Sequence, residues 1–178
     1  MFESCEVFKN CDFLLKGEGW VMKKLLSIVT ISFVSALGVN AAESSITNEK
    51  VIEKLNEFFE LLDIQVYDQE KLSRIVTPDF RIFEVGNDFN LDSFDSFINA
   101  ASETLSETNW ELSNFVVSLD DNSAHISYFN NGSFTTKQNE LIRYHWMESA
   151  YMVLDGEELK LKFLQSDVVS EVTERLEQ

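Results

Sequence analysis

Two glutamates lie where a strand pattern can turn a carboxyl group toward an apolar interior. Glu84 falls near the end of the strand-like run 80–85, and Glu148 lies inside the alternating stretch 141–169. A carboxyl group removed from water has a raised pKa, which suits it to proton transfer near neutral pH. The pair therefore indicates acid–base chemistry. Each has a structural alternative: Glu84 as an exposed strand end, and Glu148 hydrogen-bonded to a neighbouring Tyr, Trp or backbone group.

The hairpin that carries Glu148 also brings aromatic and amide groups to one face. The dipeptide Asp155-Gly156 suits a type I′ turn. With that dipeptide at the tip, Glu148 faces Phe163 and Trp146 faces Gln165. This face should form the floor of a ligand pocket or of an ordinary core. Its inward-pointing polar and aromatic side chains are Tyr144, Trp146, Glu148, Phe163 and Gln165.

Three further groups could orient a bound molecule by hydrogen bonding. Tyr128 shares a strand face with Ile126, and Tyr144 lies on the hairpin face. Each could donate to a ligand, although such a residue is more often a core tyrosine with a satisfied hydroxyl group. The Gln165 amide cannot titrate, but it can bind a carbonyl or hydroxyl group.

The sequence carries no residue set typical of a metal or cofactor site. His125 and His145 occupy odd positions on strands whose even positions face inward, so both should point outward. The segment Asp88–Asp92 begins like a calcium loop, but Ser93 replaces the required Gly and Asn99 the bidentate Glu. A phosphate-binding loop, a dinucleotide fingerprint and a nucleophile elbow are missing too. We therefore expect neither a metal nor an organic cofactor.

Helical patterns occupy the first half of the domain. Thr47 suits the N-cap of an amphipathic helix whose apolar stripe runs from Val51 to Val66. A shorter helix over Gln69–Val76 ends before Pro78, whose ring disfavours a helical preceding residue. Asp92–Asp95 resembles a capping box at the start of a third helix.

The second half has the pattern of long antiparallel strands. After a turn at Gly86-Asn87 and a polar connector over Ser102–Asn109, a strand is predicted at Leu112–Leu119. The next strand ends near Lys137, and we interpret Asn131-Gly132 as a bulge or kink within it. Helices followed by long antiparallel strands indicate the α+β class.

The chain is strongly acidic, and its charge limits the partners it can have. Its 31 Asp and Glu against 14 Lys and Arg give a net charge of −17. Such a surface repels phosphate backbones and anionic lipid, so we expect no nucleic acid partner and no membrane-surface partner. We interpret the acidity as an aid to solubility in preference to an acidic recognition face.

Residues 22–42 have the three parts of a secretory signal peptide. Lys23 and Lys24 form the basic region, Leu25–Leu37 the apolar region, and Val39–Ala41 a small-residue cleavage signal. Cleavage after residue 41 or 42 would yield a periplasmic or secreted protein. No Cys follows the apolar region at the cleavage point, and no other apolar run is long enough to span a bilayer. We therefore expect no stable membrane anchor.

A signal peptide normally starts at the initiator Met, so residues 1–21 are interpreted as a mis-assigned upstream extension. Lys16-Gly17-Glu18 is what a purine-rich ribosome-binding site would encode, a few codons before Met22. The alternative is a genuine N-terminal extension. Cys5 and Cys11 both lie in this part, so the processed chain would have no disulfide, catalytic thiol or cysteine-based zinc site. It would comprise one domain, 46–170, and a charged tail, 171–178.

The residues from about 51 to 169 resemble the SnoaL-like branch of the nuclear transport factor 2-like (NTF2-like) superfamily. The resemblance rests on Thr77-Pro78-Asp79-Phe80 before Gly86, on Trp146-Met147-Glu148-Ser149-Ala150, and on the closing run 159–166. It implies an α+β barrel: a cone-shaped, curved mixed sheet wrapped around the long N-terminal helix, which closes the wide side over a cavity. These motifs are more specific for the fold than for an activity, because relatives include cyclases, isomerases, dehydratases and non-catalytic modules.

The resemblance also bears on individual residues. Glu84 occupies roughly the place of the carboxylate base of steroid-isomerase-like relatives. Gln165 stands where many relatives carry His, and Phe58 and Phe59 lie where an isomerase places its oxyanion-binding Tyr. The losses of His and Tyr weaken a catalytic interpretation, because acid–base catalysis needs a titrating group that faces a polarising donor.

Two hypotheses follow. The first is an exported domain that binds a small apolar or amphipathic ligand, or dimerises through the outer face of its sheet. Its cavity would be lined by Tyr128, Tyr144, Trp146, Phe163, Gln165 and Phe59. The second is an acid–base cyclase, isomerase or dehydratase that uses Glu84 and Glu148. The sequence favours the first.

Overall fold

The computed structural model describes residues 46–177 of the chain. The predicted upstream extension (1–21) and signal peptide (22–42) lie outside these residues. The described part has three helices and six strands: α1 (Asn48–Leu61), α2 (Gln69–Ile75), β1 (Val76–Glu84), β2 (Asn87–Asn90), α3 (Leu91–Thr104), β3 (Leu105–Leu119), β4 (Ser123–Thr136), β5 (Glu140–Asp155) and β6 (Glu158–Arg175). Within this part, no helix is both long and apolar enough to cross a bilayer.

The strands form one mixed sheet in the order β2-β1-β6-β5-β4-β3. β1 runs parallel to β6, and every other neighbouring pair is antiparallel. α1 packs against β3, β4 and β6, where it buries Val51, Leu55, Phe58 and Phe59. The α+β class and the curved sheet around the N-terminal helix are confirmed.

The helices begin at side-chain caps. Thr47 accepts a hydrogen bond from the Lys50 amide at 3.3 Å, as predicted for the N-cap of α1. α3 is capped by Asn90, which exchanges hydrogen bonds with Ser93 in a capping box, so the predicted box at Asp92–Asp95 is wrong. Serine can take the place of the usual Glu because its hydroxyl reaches back to the Asn90 amide.

α1 is shorter than its apolar stripe predicted. It ends at Leu61, and the Leu62 and Asp63 amides then donate to carbonyls three residues back, which tightens the last turn. The Asp63 carboxylate accepts from the Gln65 amide at 3.0 Å and holds the following turn. Val66 is 54 % exposed, so it does not continue the buried stripe.

Two segments predicted as irregular are strands. β3 begins at Leu105 inside the predicted polar connector and pairs with the end of β4. β6 continues to Arg175 through most of the predicted tail and pairs with the start of β5. Neither segment has a clear apolar alternation, and both become strands because a neighbouring strand satisfies their backbone groups.

β4 is a single strand, as predicted, but it has no bulge at Asn131-Gly132, since its register against β5 is continuous. The irregularity lies in β3, where Asn114 has φ +57°. Gly132 instead provides space: a Cβ atom there would lie 2.6 Å from the Trp146 ring. The glycine lets that indole lie against the strand.

The β5–β6 hairpin differs from its predicted register. The turn centres on Gly156-Glu157, with φ +66° at Gly156 alone, which fits a type II′ turn and not type I′. Two register shifts then leave Lys162 and Val169 without a direct partner on β5. Each extra residue reverses which side chains of β6 face inward.

Candidate functional site

A row of polar side chains crosses four neighbouring strands on the inner face of the sheet. Glu84 lies at the end of β1, Ser166 on β6, Glu148 on β5 and Tyr128 on β4. Glu148 is paired directly with Ser166 on one side and with Tyr128 on the other. We call these four residues the polar row.

A cavity of about 340 Å³ lies between α1, α3 and the inner face of the sheet. Aromatic side chains of both layers line it, including Phe58, Phe59, Phe94 and Phe97 from the helices and Trp110 and Trp146 from the strands. Both Glu84 and Glu148 line the same cavity. A mostly apolar cavity with a few convergent polar groups is typical of a small-molecule site.

Glu148 is the more enclosed of the two carboxyl groups, with 6 % of its surface exposed. Its Oε1 accepts from the Ser166 hydroxyl at 2.8 Å, and its Oε2 accepts from the Asn130 amide at 3.2 Å. Burial raises the pKa of Glu148 to about 7, while the Ser166 hydroxyl, the nearby Tyr128 hydroxyl and the Asn130 amide lower it and the Glu84 charge raises it further. The carboxyl group can therefore gain or lose a proton near neutral pH.

Glu84 is positioned by the tight turn that ends β1. It pairs with Asn87 across Val85 and Gly86, which have φ +50° and φ +73°. Two positive φ values are those of a type I′ turn. Burial raises the pKa of Glu84, the Ser166 hydroxyl lowers it, and the Asp167 charge raises it again.

Ser166 connects the two carboxyl groups and was missed by the sequence analysis. It is buried on β6, and it interacts with both Glu84 and Glu148. A hydroxyl group has a single proton, so it can donate to only one of them at a time. Its inward position depends on the extra residue at Lys162, which alternation alone does not reveal.

The predicted Glu84 and Glu148 do come together, and Tyr144, Trp146 and Phe59 lie on the cavity wall. Tyr144 stacks on Trp146 with ring centroids 4.9 Å apart. Burial and the adjacent Glu171 raise the pKa of Tyr144. Glu171, which lies in the predicted tail, lines the cavity too.

Two of the predicted ligand-binding residues are on the wrong side. Phe163 lies on the outer face, where it packs edge-on against Phe83 at 5.0 Å, and Gln165 is exposed beside Ser149. The extra residue at Lys162 reverses the alternation that predicted both of them to face inward. Ser166 takes the inward place predicted for Gln165.

Tyr128 does not line the cavity but lies behind its wall. Its ring packs against Phe59 and Phe115. Burial, followed by the neighbouring Glu148, raises the pKa of Tyr128 well above its usual range. Its enclosed hydroxyl is not aligned for a regular hydrogen bond to Glu148, yet the two groups are close enough to shift each other's pKa.

Both histidines lie on the outer face, as their odd positions predicted. His145 Nδ1 lies 2.8 Å from Asn131 Oδ1, and His125 is exposed. Between residues 46 and 177, no group of three or more His, Cys, Asp or Glu side chains is arranged to hold a metal ion.

Comparison with known proteins identifies the fold. No protein-family model matches the sequence, and no curated protein sequence matches it. Solved structures do match, among them an NTF2-like superfamily protein from Salmonella enterica serovar Typhimurium, with a TM-score of 0.61 and 11% identity over 68% of this chain and 90% of that chain.

Two further similar structures differ in what they do. One is hexachlorocyclohexane dehydrochlorinase LinA-type3 from Novosphingobium barchaimii, with a TM-score of 0.61 and 8% identity over 70% of this chain and 88% of that chain. The other is the CaMKII hub of S. rosetta, with a TM-score of 0.56 and 16% identity over 68% of this chain and 95% of that chain. The chain has the NTF2-like fold that its motifs resemble.

Proposed function

We propose that this protein is an acid–base enzyme that transfers protons on a small, largely apolar molecule in the cavity. The observation that carries the proposal is that Glu84 and Glu148 line one apolar cavity and both have raised pKa values. Two carboxyl groups with different environments can divide the roles of acid and base between them. This favours the catalytic alternative over the binding module that the sequence favoured.

Each carboxyl group has a role that its surroundings support. Glu148 is the more deeply buried and has a pKa of about 7, so it is largely protonated below that pH and can donate a hydrogen bond. Glu84 lies at the strand end, where it can act as the base. The protonated Glu148 then supplies the polarising donor that helix α1, with Phe58 and Phe59, does not provide.

The proposed step is an elimination or isomerisation. Glu84 takes a proton from carbon as the C–H bond breaks. Glu148 gives its proton to the leaving group in an elimination, or stabilises the developing oxyanion in an isomerisation. After an elimination the two carboxyl groups have exchanged protonation states, and the Ser166 hydroxyl between them can pass the proton back. A dehydrochlorinase with this fold supports this class of reaction.

A base-sensitive probe tests the proposal without knowledge of the natural substrate. 5-Nitrobenzisoxazole loses a carbon-bound proton to give a coloured phenolate. We expect saturable turnover by the wild type, a loss of about 100-fold in Glu84→Gln, and unchanged turnover in the outer-face control Gln165→Ala. A wild-type rate equal to that of buffer, or full activity in Glu84→Gln, would contradict it.

The second candidate function is an exported binding and dimerisation module. Glu148 has two regular hydrogen bonds, as a structural carboxyl group would, and the outer face exposes Met147, Phe129 and Tyr151. A patch of this kind favours a homodimer through the sheet. The signal peptide favours action in the periplasm or outside the cell. Native mass spectrometry of protein from its natural host would report the cleavage site, a co-purified ligand and the dimer.

A further inference from the structure

Every charged side chain on the cavity wall is acidic. Glu84, Glu148 and Glu171 line the cavity, and its described wall contains no Lys, Arg or His. None of the three forms an ion pair within residues 46–177. A bound anion would meet repulsion there, while a bound cation would balance charge that the protein leaves uncompensated.

Two basic side chains on the strands that carry Glu148 and Glu171 pair with acids away from the cavity. Arg143 binds Glu174 at 2.7 Å and Lys160 binds Asp155 at 2.9 Å. Glu174 and Glu171 lie on opposite faces of β6. Glu174 pairs with Leu141, at an outward position of β5, whereas Glu171 pairs with Tyr144, at an inward position. The strand therefore presents a neutralised carboxylate on one face and an uncompensated one on the other.

Aromatic rings surround the end of the cavity where Glu171 lies. Trp146 is the centre of the group, with ring centroids 4.9 Å from Tyr144, 5.8 Å from Trp110 and 6.1 Å from Phe134. All four rings line the cavity. Aromatic faces carry partial negative charge and attract cations, most strongly in an enclosed site. We call these four rings and Glu171 the aromatic cage.

Glu171 completes this cage at the exposed end. It is paired with Tyr144 and interacts with that hydroxyl group. Glu171 is exposed, whereas Glu148 is almost fully buried. A molecule with a cationic head and an apolar body would therefore place its head in the cage and its body toward the polar row.

We infer that the cavity takes an organic cation, an ammonium group on a small apolar body, with the ammonium held by the aromatic cage. This inference rests on the proposed function and adds the chemical class of its substrate. It also accounts for Gly132, because a side chain there would displace Trp146 from the cage.

A pair of probes with the same shape tests the charge requirement. Phenyltrimethylammonium and tert-butylbenzene differ only in the charged nitrogen, and benzenesulfonate offers a tetrahedral anionic head on the same ring. In tryptophan-fluorescence titrations we expect the cation to bind the wild type at least about tenfold more tightly than the neutral probe, and the anion not to bind. Equal binding of the cation and the neutral probe, or tighter binding of the anion, overturns the inference.

Matched variants locate the effect. Glu171→Gln should lower affinity for the cation several-fold and leave tert-butylbenzene affinity unchanged, whereas Glu174→Gln on the outer face should change neither. Tyr144→Leu should weaken cation binding more than the outer-face control Tyr151→Leu does. If Glu171→Gln and Glu174→Gln bind the cation equally well, the cage is not its site and the inference fails.

The two proposals fail in distinguishable ways. Turnover of the neutral 5-nitrobenzisoxazole by the wild type without any preference for the cation would remove this inference and keep the proposed function. A clear cation preference without turnover would remove the enzyme and leave a cation-binding protein. Absence of both binding and turnover would overturn both.

Discussion

The inner and outer faces of the β5–β6 hairpin place the same chemical group in opposite environments. On the inner face, Glu148 is buried against a hydroxyl and an amide, and its pKa rises to about 7. On the outer face, Glu174 is exposed and paired with Arg143. For Glu148 and Glu174, the face of the strand decides whether the carboxyl group is buried or exposed.

The face on which a side chain of β6 lies depends, in turn, on the two extra residues of that strand. Lys162 has no direct partner on β5, and from Leu164 to Val168 the even positions of β6 lie on the inner face. Ser166 reaches Glu148 only for this reason. Variants that shift the register of β6, change the titration of Glu148 or relax the turn beside Glu84 should therefore separate the effects of register, burial and backbone strain.

Insertion of one Ala between Leu164 and Gln165 should have the largest effect. With the pairing before the insertion unchanged, Gln165 would lie opposite Glu148 in place of Ser166, and the side chains that follow it would change face. Exposing apolar groups and burying polar ones should lower the free energy of unfolding by about 4 kcal/mol or more, measured by urea denaturation. Lys162→Ala keeps every pairing and should cost less than about 1 kcal/mol. Similar losses in the two variants would contradict the dependence of the inner face on the register of β6.

The sequence predicted what depends on regular alternation and missed what depends on these irregularities. The inward positions of Glu148, Tyr144 and Trp146 follow from the period of two along β5, which has no extra residue of its own. Gln165 was misplaced because an extra residue in β6 leaves no trace in the pattern of apolar residues. No local signal in the sequence could have identified Ser166.

Pairing between strand segments that are far apart in sequence set the other limit on what the sequence could predict. Glu171 was assigned to a charged tail because 171–178 has little apolar alternation, yet the start of β5 holds it in the sheet. The N-cap of α1 was predictable because Thr47 alone determines it. At the start of α3, Asn90 with Ser93 and Asp92 with Asp95 are competing candidates for a capping box, and the sequence does not decide between them. Local propensity therefore predicted the elements better than their exact ends.

Replacing Glu148 by Gln should change how stability depends on pH. The pKa of Glu148 rises from 4.5 to about 7 on folding, so its protonated form favours the native state. That contribution is complete below the unfolded value and is lost as the pH rises through the folded value. Relative to Glu148→Gln, the wild type should lose about 3 kcal/mol between these two pH values, measured by urea denaturation at each pH. A difference that stays constant with pH would contradict the assignment. Glu174→Gln serves as the outer-face control.

Ser166→Ala should have a smaller effect on stability and a distinct effect on titration. Loss of the hydroxyl removes a donor from both carboxyl groups, which should cost about 1–2 kcal/mol and raise the pKa of Glu148 further. Carboxyl titration followed by NMR would measure that shift directly. The control is Ser149→Ala, since Ser149 lies on the outer face opposite Gln165 and should leave the pKa of Glu148 unchanged. Equal titration of Glu148 in the two variants would exclude Ser166 as its donor.

Val85→Asn should have the smallest effect and should stabilise the protein. Val85 has φ +50°, which is unfavourable for a branched side chain, and with Gly86 it forms the turn that positions Glu84. Asn-Gly is the preferred pair for such a turn, so the substitution should raise the free energy of unfolding by about 1 kcal/mol. The control Val172→Asn replaces a similarly exposed valine in a regular strand and should not stabilise. If Val85→Asn stabilises the fold while reducing turnover of 5-nitrobenzisoxazole, the strained turn is needed to position the Glu84 carboxylate for catalysis. If stability and turnover both rise, the strain plays no part in catalysis and the environment of the inner face alone sets the chemistry.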